Sequence, residues 1–272
     1  MTGYARLPDV RSLINAAGSS AQDGDIVRAI NEASRFARSY TARWFHDVTG
    51  TWYYSGDGCR ELVIGDFASI TSLKISADRD QPTTFGYTLV EGVDYTLWPR
   101  NAASEERPYR SIVLNPQGQF ATFPVGVDNV QIVGARGWPS MSDQVFVSGT
   151  AVTGTLTDAS DLVVTTSVSV ADVVEAGDTL ILEDEQVEVI AVSATAITVA
   201  RGINGTTAVA HAAVNMYIRR YPADIERAVA ADAARYLWWG ARGAVDQAGV
   251  MREPWPVIRD TLLGYANPAA VV

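Results

Sequence analysis

Two histidines, His46 and His211, and one cysteine, Cys59, are the residues of this 272-residue chain best suited to nucleophilic or metal chemistry. Two histidines are too few for a histidine-based metal triad without several carboxylates beside them. His46 follows Phe45 at the end of a helical pattern and reads as a packed helix end. Cys59 with a histidine would make a nucleophile pair, but it sits beside the turn Gly56-Asp57-Gly58 without any family signature and reads as an inert thiol. The run "LEDEQVE" offers Glu183, Asp184 and Glu185 to a divalent cation. A solvated strand turn accounts for it equally, because the alternating oxygen ligands of a calcium loop are missing. "GINGTTA" places glycines at 202 and 205 with no lysine, so it is neither a P-loop nor a dinucleotide fingerprint and reads as a hairpin turn. These residues predict no enzyme, no catalytic residue, no cofactor and no resident metal.

Aromatic residues point elsewhere. Trp44, Trp52, Trp98, Trp138, Trp238, Trp239 and Trp255 all lie outside residues 142–219. Some must fill a core, but surface tryptophan marks protein–protein contact, and the adjacent pair Trp238 and Trp239 on one helix is a candidate interface. Charge is equally uneven. The net charge is −10, yet residues 144–218 hold nine acidic residues against Arg201 alone. With no basic run beyond Arg219-Arg220, a sequence-specific grip on nucleic acid is disfavoured. Hydrophobic residues make up 47% and charged residues 19%, enough to bury one generous core or two modest ones. The single cysteine excludes an intrachain disulfide framework, and the start "MTGYARLPDVRSL" lacks the apolar core of a signal peptide. No run approaches the roughly 18 apolar residues of a membrane span. The expectation is a soluble protein, with no membrane partner, kept inside the cell that makes it.

The elements that would position these residues change type along the chain. "LPDVRSLINAAG" reads as a short helix with Pro8 in its first turn and Gly18 at its end. In "DIVRAINEASRFARSYTARWF" a stripe of Ile26, Ile30, Ala33, Ala37, Tyr40 and Trp44 predicts a long amphipathic helix, capped by Asp23 or Asp25. From Gly50 on, "RELVIGD", "SITSLKIS", "FGYTLVEG", "VDYTLWP", "RSIVLNP" and "NVQIVGARGWP" predict five or six strands of a mainly antiparallel sheet. Residues 142–219, without proline or tryptophan and rich in Val, Thr and Ala, read as a separate small β-module set into a loop. "PADIERAVAADAARYLWWGARG" then predicts a second long helix, with Ile225, Val229, Ala233, Tyr236 and Leu237 on its apolar side and Gly240 or Gly243 at its end. A last short helix, "VIRDTLLGY", follows Pro254 and Pro256. The fold class expected is α+β: a small helical bundle with a mainly antiparallel sheet, plus an inserted all-β module of barrel or sandwich type. Its parts are 1–141, the first part of the core; 142–219, the module; and 220–272, the second part.

Tyr4, Leu7, Asp9 and Val10, then "INEASRFARSYTARWF", a strand block ending "GW", "P.DI..AV...AARYLWW" and the closing "PWPVIRDTLLGY" together resemble the head–tail connector, or adaptor, family of tailed bacteriophages. The resemblance covers residues 1–139 and 221–272. "YTARWF" and the "P.DI..AV...AARY" helix carry most of it. The segment between, "GDTL…E…V…V…T…RG.NGTTA..H", is similar to small all-β units of phage virion proteins. The resemblance implies a structural virion protein, assembled in the bacterial host cytoplasm. It would form a ring, often of twelve copies, between the portal protein and a stopper or tail-completion protein. DNA would pass through the ring without sequence-specific binding. It also implies a portal contact around Trp255, Tyr265 and Asn267. An alternative is a virion surface module that binds carbohydrate or a receptor through the β-insert.

Overall fold

The computed structural model describes residues 3–14, 22–78, 82–139, 141–242 and 255–266, with backbone only at 238–242 and 255–257. By its internal contacts the chain divides into two compact units, residues 1–43 with 141–272, and residues 44–140. Helices and antiparallel sheets make it an α+β protein. Among the described residues no helix is long and apolar enough to cross a membrane.

In the first unit four helices, α1 (Leu7–Leu13), α2 (Asp23–Thr41), α3 (Ala223–Arg242) and α4 (Trp255–Tyr265), pack on one another, with α2 against α3 as the main pair. Both helices of that pair turn small residues inward. Ala29, Ala33 and Ala37 alternate with Ile26 and Ile30 on α2, and Ile225, Val229, Ala230 and Ala233 line α3. Alanine stripes let two backbones approach closely while the flanking aliphatic side chains fill the groove. Tyr4, 1% exposed, fixes the chain start against this pair. Its backbone N–H donates to Ser34 Oγ at 2.9 Å, and its ring lies 5.0 Å from that of Tyr221.

Three details of the helices depart from expectation. The buried stripe of α2 ends at Thr41, because Ala42 takes a left-handed conformation (φ 51°) that stops the helix before Trp44. Neither Asp23 nor Asp25 caps α2. The N-cap is Gln22 without a side-chain cap, and the Asp23 carboxylate is taken instead by Arg11 at 3.0 and 2.6 Å. On α3, Ile225, Val229 and Ala233 are buried as expected, but Tyr236 is exposed. Gly18 and Gly243 lie outside the described residues.

The second unit is a six-stranded antiparallel sheet of β1 (Val48–Tyr54), β2 (Glu61–Ile75), β3 (Tyr87–Leu89), β4 (Tyr95–Trp98), β5 (Tyr109–Leu114) and β6 (Val130–Arg136). Its order is β1-β6-β2-β5-β4, with β3 also on β2. The runs "RELVIGD" and "SITSLKIS", which read as two strands, are one 15-residue strand. Gly65, at φ 79°, lets that strand bend, so its first half pairs with β5 and its second with β6. β1 goes beyond the expected set, since its burial alternates only between half-buried and exposed. One face of the sheet buries Leu62, Ile64, Phe67, Leu73, Ile112, Leu114 and Ile132.

Gly134 sits where β6 crosses the irregular part of β2, and a Cβ there would run into the Ser69 carbonyl. Gly134→Ala is therefore expected to cost about 1–3 kcal/mol in a denaturation experiment. A loss under about 0.5 kcal/mol would mean the strands part more easily than the register implies.

Residues 141–220 form a sheet of their own, separate from that of the second unit. Its strands are β7 (Met141–Gln144), β8 (Phe146–Val147), β9 (Thr150–Ala151), β10 (Thr153–Leu156), β11 (Val163–Thr166), β12 (Thr179–Leu182), β13 (Glu185–Ser193), β14 (Ala196–Ala200) and β15 (His211–Arg220). The order β10-β11-β14-β13-β12-β15 returns to β10 and closes a six-stranded barrel. β7 extends beside β15, and β8 and β9 form a small hairpin. Alternate residues, among them Leu156, Val164, Leu180, Val187, Ile197, Val199 and Met216, fill its interior. The Asn204-Gly205 signal is not a two-residue hairpin. Ile203–Gly205 is a 3-10 turn inside the longer link from β14 to β15.

The units are drawn differently from the parts expected of the sequence. Contacts group the helices with the barrel, and the sheet of 44–140 stands as a unit by itself. Arginines on the first helical segment tie the barrel in. Arg6 donates to both carboxylate oxygens of Asp178 at 3.0 and 2.8 Å and to the Val173 carbonyl at 2.8 Å. Arg11 reaches Glu175 at 3.0 and 2.8 Å.

Candidate functional site

Most of the residues singled out for chemistry are already engaged with other groups. Cys59 is an exposed free thiol. A hydrogen bond and charge from Asp57 push its pKa up, the wrong direction for a nucleophile. His46 is buried with its ring stacked 5.9 Å from that of Trp44, but it is not a helix end: α2 stops at Thr41, and His46 lies in the link that leads into β1. Among the described residues no three His, Cys, Asp or Glu are grouped to hold a metal ion.

Glu183, Asp184 and Glu185 form the β12–β13 turn, where Glu183 takes φ 54°. The turn splits the three by role. Glu185 points inward with a fully buried side chain and receives Arg201 Nε and a terminal guanidinium nitrogen at 2.6 and 2.7 Å. It also takes backbone N–H bonds from Gly202 and Val209. Burial alone would raise its pKa, but these bonds and that to His211 outweigh it and bring it down to about 2. His211 is fully buried and faces a carboxylate with each ring nitrogen, Glu183 at Nδ1 and Glu185 at Nε2, both at 2.9 Å.

The same guanidinium binds the Asp158 and Asp161 carbonyls at 3.2 and 2.8 Å, pulling that loop to the same end of the barrel. Hydrogen bonds from Ser160 and Thr157 lower the pKa of Asp158 and Asp161, so both are ionised at neutral pH. One buried salt-bridge network thus presents Asp158, Asp161, Glu183 and Asp184 together, with the exposed Leu162 and Val163 alongside.

In the second unit the outward face of the sheet carries a concavity of about 720 Å³. Alternation builds it. Tyr95 and Leu97 of β4 point into the core, so Thr96 and Trp98 point out, beside Ser111 and Val113 of β5. Arg60, Arg100 and Arg110 stand around it, with Glu61 as the opposing charge. Arg60 is steadied by the Leu114 carbonyl at 2.6 Å, and Arg110 lies 3.5 Å from Asp66. Among the described residues Arg100 makes no ion pair. Trp98 is 46% exposed.

The remaining tryptophans of this unit serve packing. Trp138 is buried against Phe45, and the Arg136 guanidinium lies 5.4 and 5.0 Å from the rings of Trp44 and Trp52.

Of the expected interface residues, Trp238 and Trp239 lie near the end of α3 and Trp255 opens α4, where the description is of backbone only. Tyr265 closes α4 and is half-buried, and Asn267 lies outside the described residues. The exposed Trp98 with its arginines was not singled out from the sequence. The signal was present in "VDYTLWPR", where a strand alternating Tyr-Thr-Leu-Trp must put Trp98 opposite Tyr95 and Leu97.

Comparison of the chain with protein-family models, curated proteins and solved structures finds no match.

Proposed function

We propose that the chain is a structural subunit of a tailed-phage virion that assembles into a ring, of about twelve copies by the resemblance, between portal and tail. The ring would extend the channel through which DNA passes without sequence-specific contact. The observation that carries this reading is the sheet unit's exposed apolar surface. Tyr53, Val63, Tyr87, Val90, Val93 and Trp98 are each between 45% and 73% exposed within 44–140. So many large apolar side chains left in water on one small unit suit a surface that a partner covers. The sequence resemblance supplies the kind of partner: neighbouring copies, the portal, and a stopper or tail-completion protein. Trp238, Trp239, Trp255, Tyr265 and Asn267 remain the proposed portal or subunit interface, with the portal contact placed around the last three.

A virion surface module reading sugars through the barrel is the weaker reading. Of the two aromatic residues there, Phe146 is exposed and Tyr217 only half-buried.

Sedimentation of the purified chain, alone and mixed with its portal, tests the proposal. It predicts a multi-subunit species in at least one of the two. A chain that stays monomeric in both contradicts it.

A further inference from the structure

We infer that the acidic end of the barrel in one copy seats in the arginine-rimmed groove of a neighbouring copy. This names the subunit contact of the proposed ring and rests on that reading. Two surfaces of the chain are complementary in charge. Arg60, Arg100 and Arg110 against Glu61 and the Asp66 that pairs with Arg110 leave the groove with one positive charge in excess, although the chain as a whole is at −10. Asp158, Asp161, Glu183 and Asp184 leave the barrel end negative.

They are also complementary in apolar character. Leu162 and Val163, 58% and 47% exposed, flank the acidic loop, as Trp98 and Val113 line the groove. A concavity of 720 Å³ is in the range of built binding sites. The acidic end is held in shape beforehand, since Arg201 fixes the Asp158–Asp161 loop and His211 fixes Glu183, so little ordering is left for docking to impose.

Because the two surfaces are different patches of one chain, the contact is head-to-tail. Such a contact repeats from copy to copy and closes into a ring when the rotation allows. A contact of this kind needs no two-fold axis.

Charge reversal in the full chain tests the pairing. Arg100→Glu reverses an exposed cation of the groove, and Asp184→Lys reverses an exposed turn residue, so neither disturbs the fold. Circular dichroism would check that both variants remain folded. Each single reversal is expected to weaken self-association, measured by sedimentation, at least about tenfold. The double variant is expected to recover most of the loss, because the reversed charges meet again. Raising salt from about 50 to about 500 mM should weaken the unaltered chain.

If the reversed variants assemble as well as the unaltered chain, the pairing is wrong while the ring stands. If the unaltered chain never assembles, even with portal, both fall. Quenching of Trp98 fluorescence by a short single-stranded oligonucleotide, lost in Arg100→Glu while self-association is unchanged, would reassign the groove to nucleic acid and overturn the inference.

Discussion

Replacing Arg201 by alanine should cost about 3–5 kcal/mol of stability, read as a drop in the denaturation midpoint. The effect is large because of what stays behind. Glu185 keeps a side chain with no exposure and loses two short charged hydrogen bonds, and the loop at Asp158–Asp161 loses the guanidinium that gathers its carbonyls. Replacing both partners, as in Arg201→Met with Glu185→Leu, should cost less than the sum of the two single changes, since no charge is stranded opposite a missing partner, although His211 and the Gly202 and Val209 N–H groups still lose their acceptor.

The network also sets a response to acid. Glu185 titrates at about 2 in the folded protein, below the ordinary 4.5. A carboxylate with a depressed folded pKa contributes stability that is complete above its unfolded value and lost as pH falls through the folded one. The barrel's contribution from Glu185 is therefore full above pH 4.5 and fades toward pH 2. Arg201→Ala should move acid unfolding to higher pH. An Arg201→Ala protein as stable as the parent, with the same acid midpoint, would show that the network is ornamental to the fold.

Arg6→Ala should cost about 3 kcal/mol and loosen the barrel from the helices. Asp178, whose side chain is 2% exposed, receives both of its side-chain ion-pair bonds from Arg6. The same guanidinium holds the Val173 carbonyl, so one substitution leaves a buried carboxylate with only the Glu175 backbone N–H and takes the charged donor from a backbone acceptor as well. Arg6→Lys should recover little, because an ammonium cannot make the two-pronged contact. Limited proteolysis supplies a second readout, with faster cleavage near 173–178 in the alanine variant. Stability within about 0.5 kcal/mol of the parent and unchanged cleavage would contradict the clamp.

What could be read from residue order follows from which signals are local. The buried stripe of α2 and that of α3 were legible because apolar residues recur at helical spacing within each helix, a signal carried by near neighbours. The barrel's strands were legible as alternation, and Glu183-Asp184 as their turn, since both are properties of neighbouring residues. The choice between barrel and sandwich, both of which the alternation allowed, was not, because closure depends on β10 meeting β15 some 58 residues away, as in the bond from the Ala213 N–H to Thr155 Oγ1.

Long-range ion pairs were illegible for the same reason. Asp23 read as a cap because caps are local, yet Arg11 claims it across the helix junction. Arg6 and Asp178 are 172 positions apart, and nothing near either announces the other. That is why the barrel read as a detachable insert while its contacts place it with the helices. The groove was half legible. Alternation put Trp98 outside, but the gathering of Arg60, Arg100 and Arg110 needed three strands and a loop to converge.

The central claim is that copies of this chain meet through the sheet unit of residues 44–140. Single-particle imaging of the assembled full-length chain tests it most directly. The account predicts a closed ring in which Trp98 and Arg100 lie at the boundary between neighbouring subunits. A ring whose subunits touch only through α1–α4, with Trp98 facing solvent all round, would contradict it.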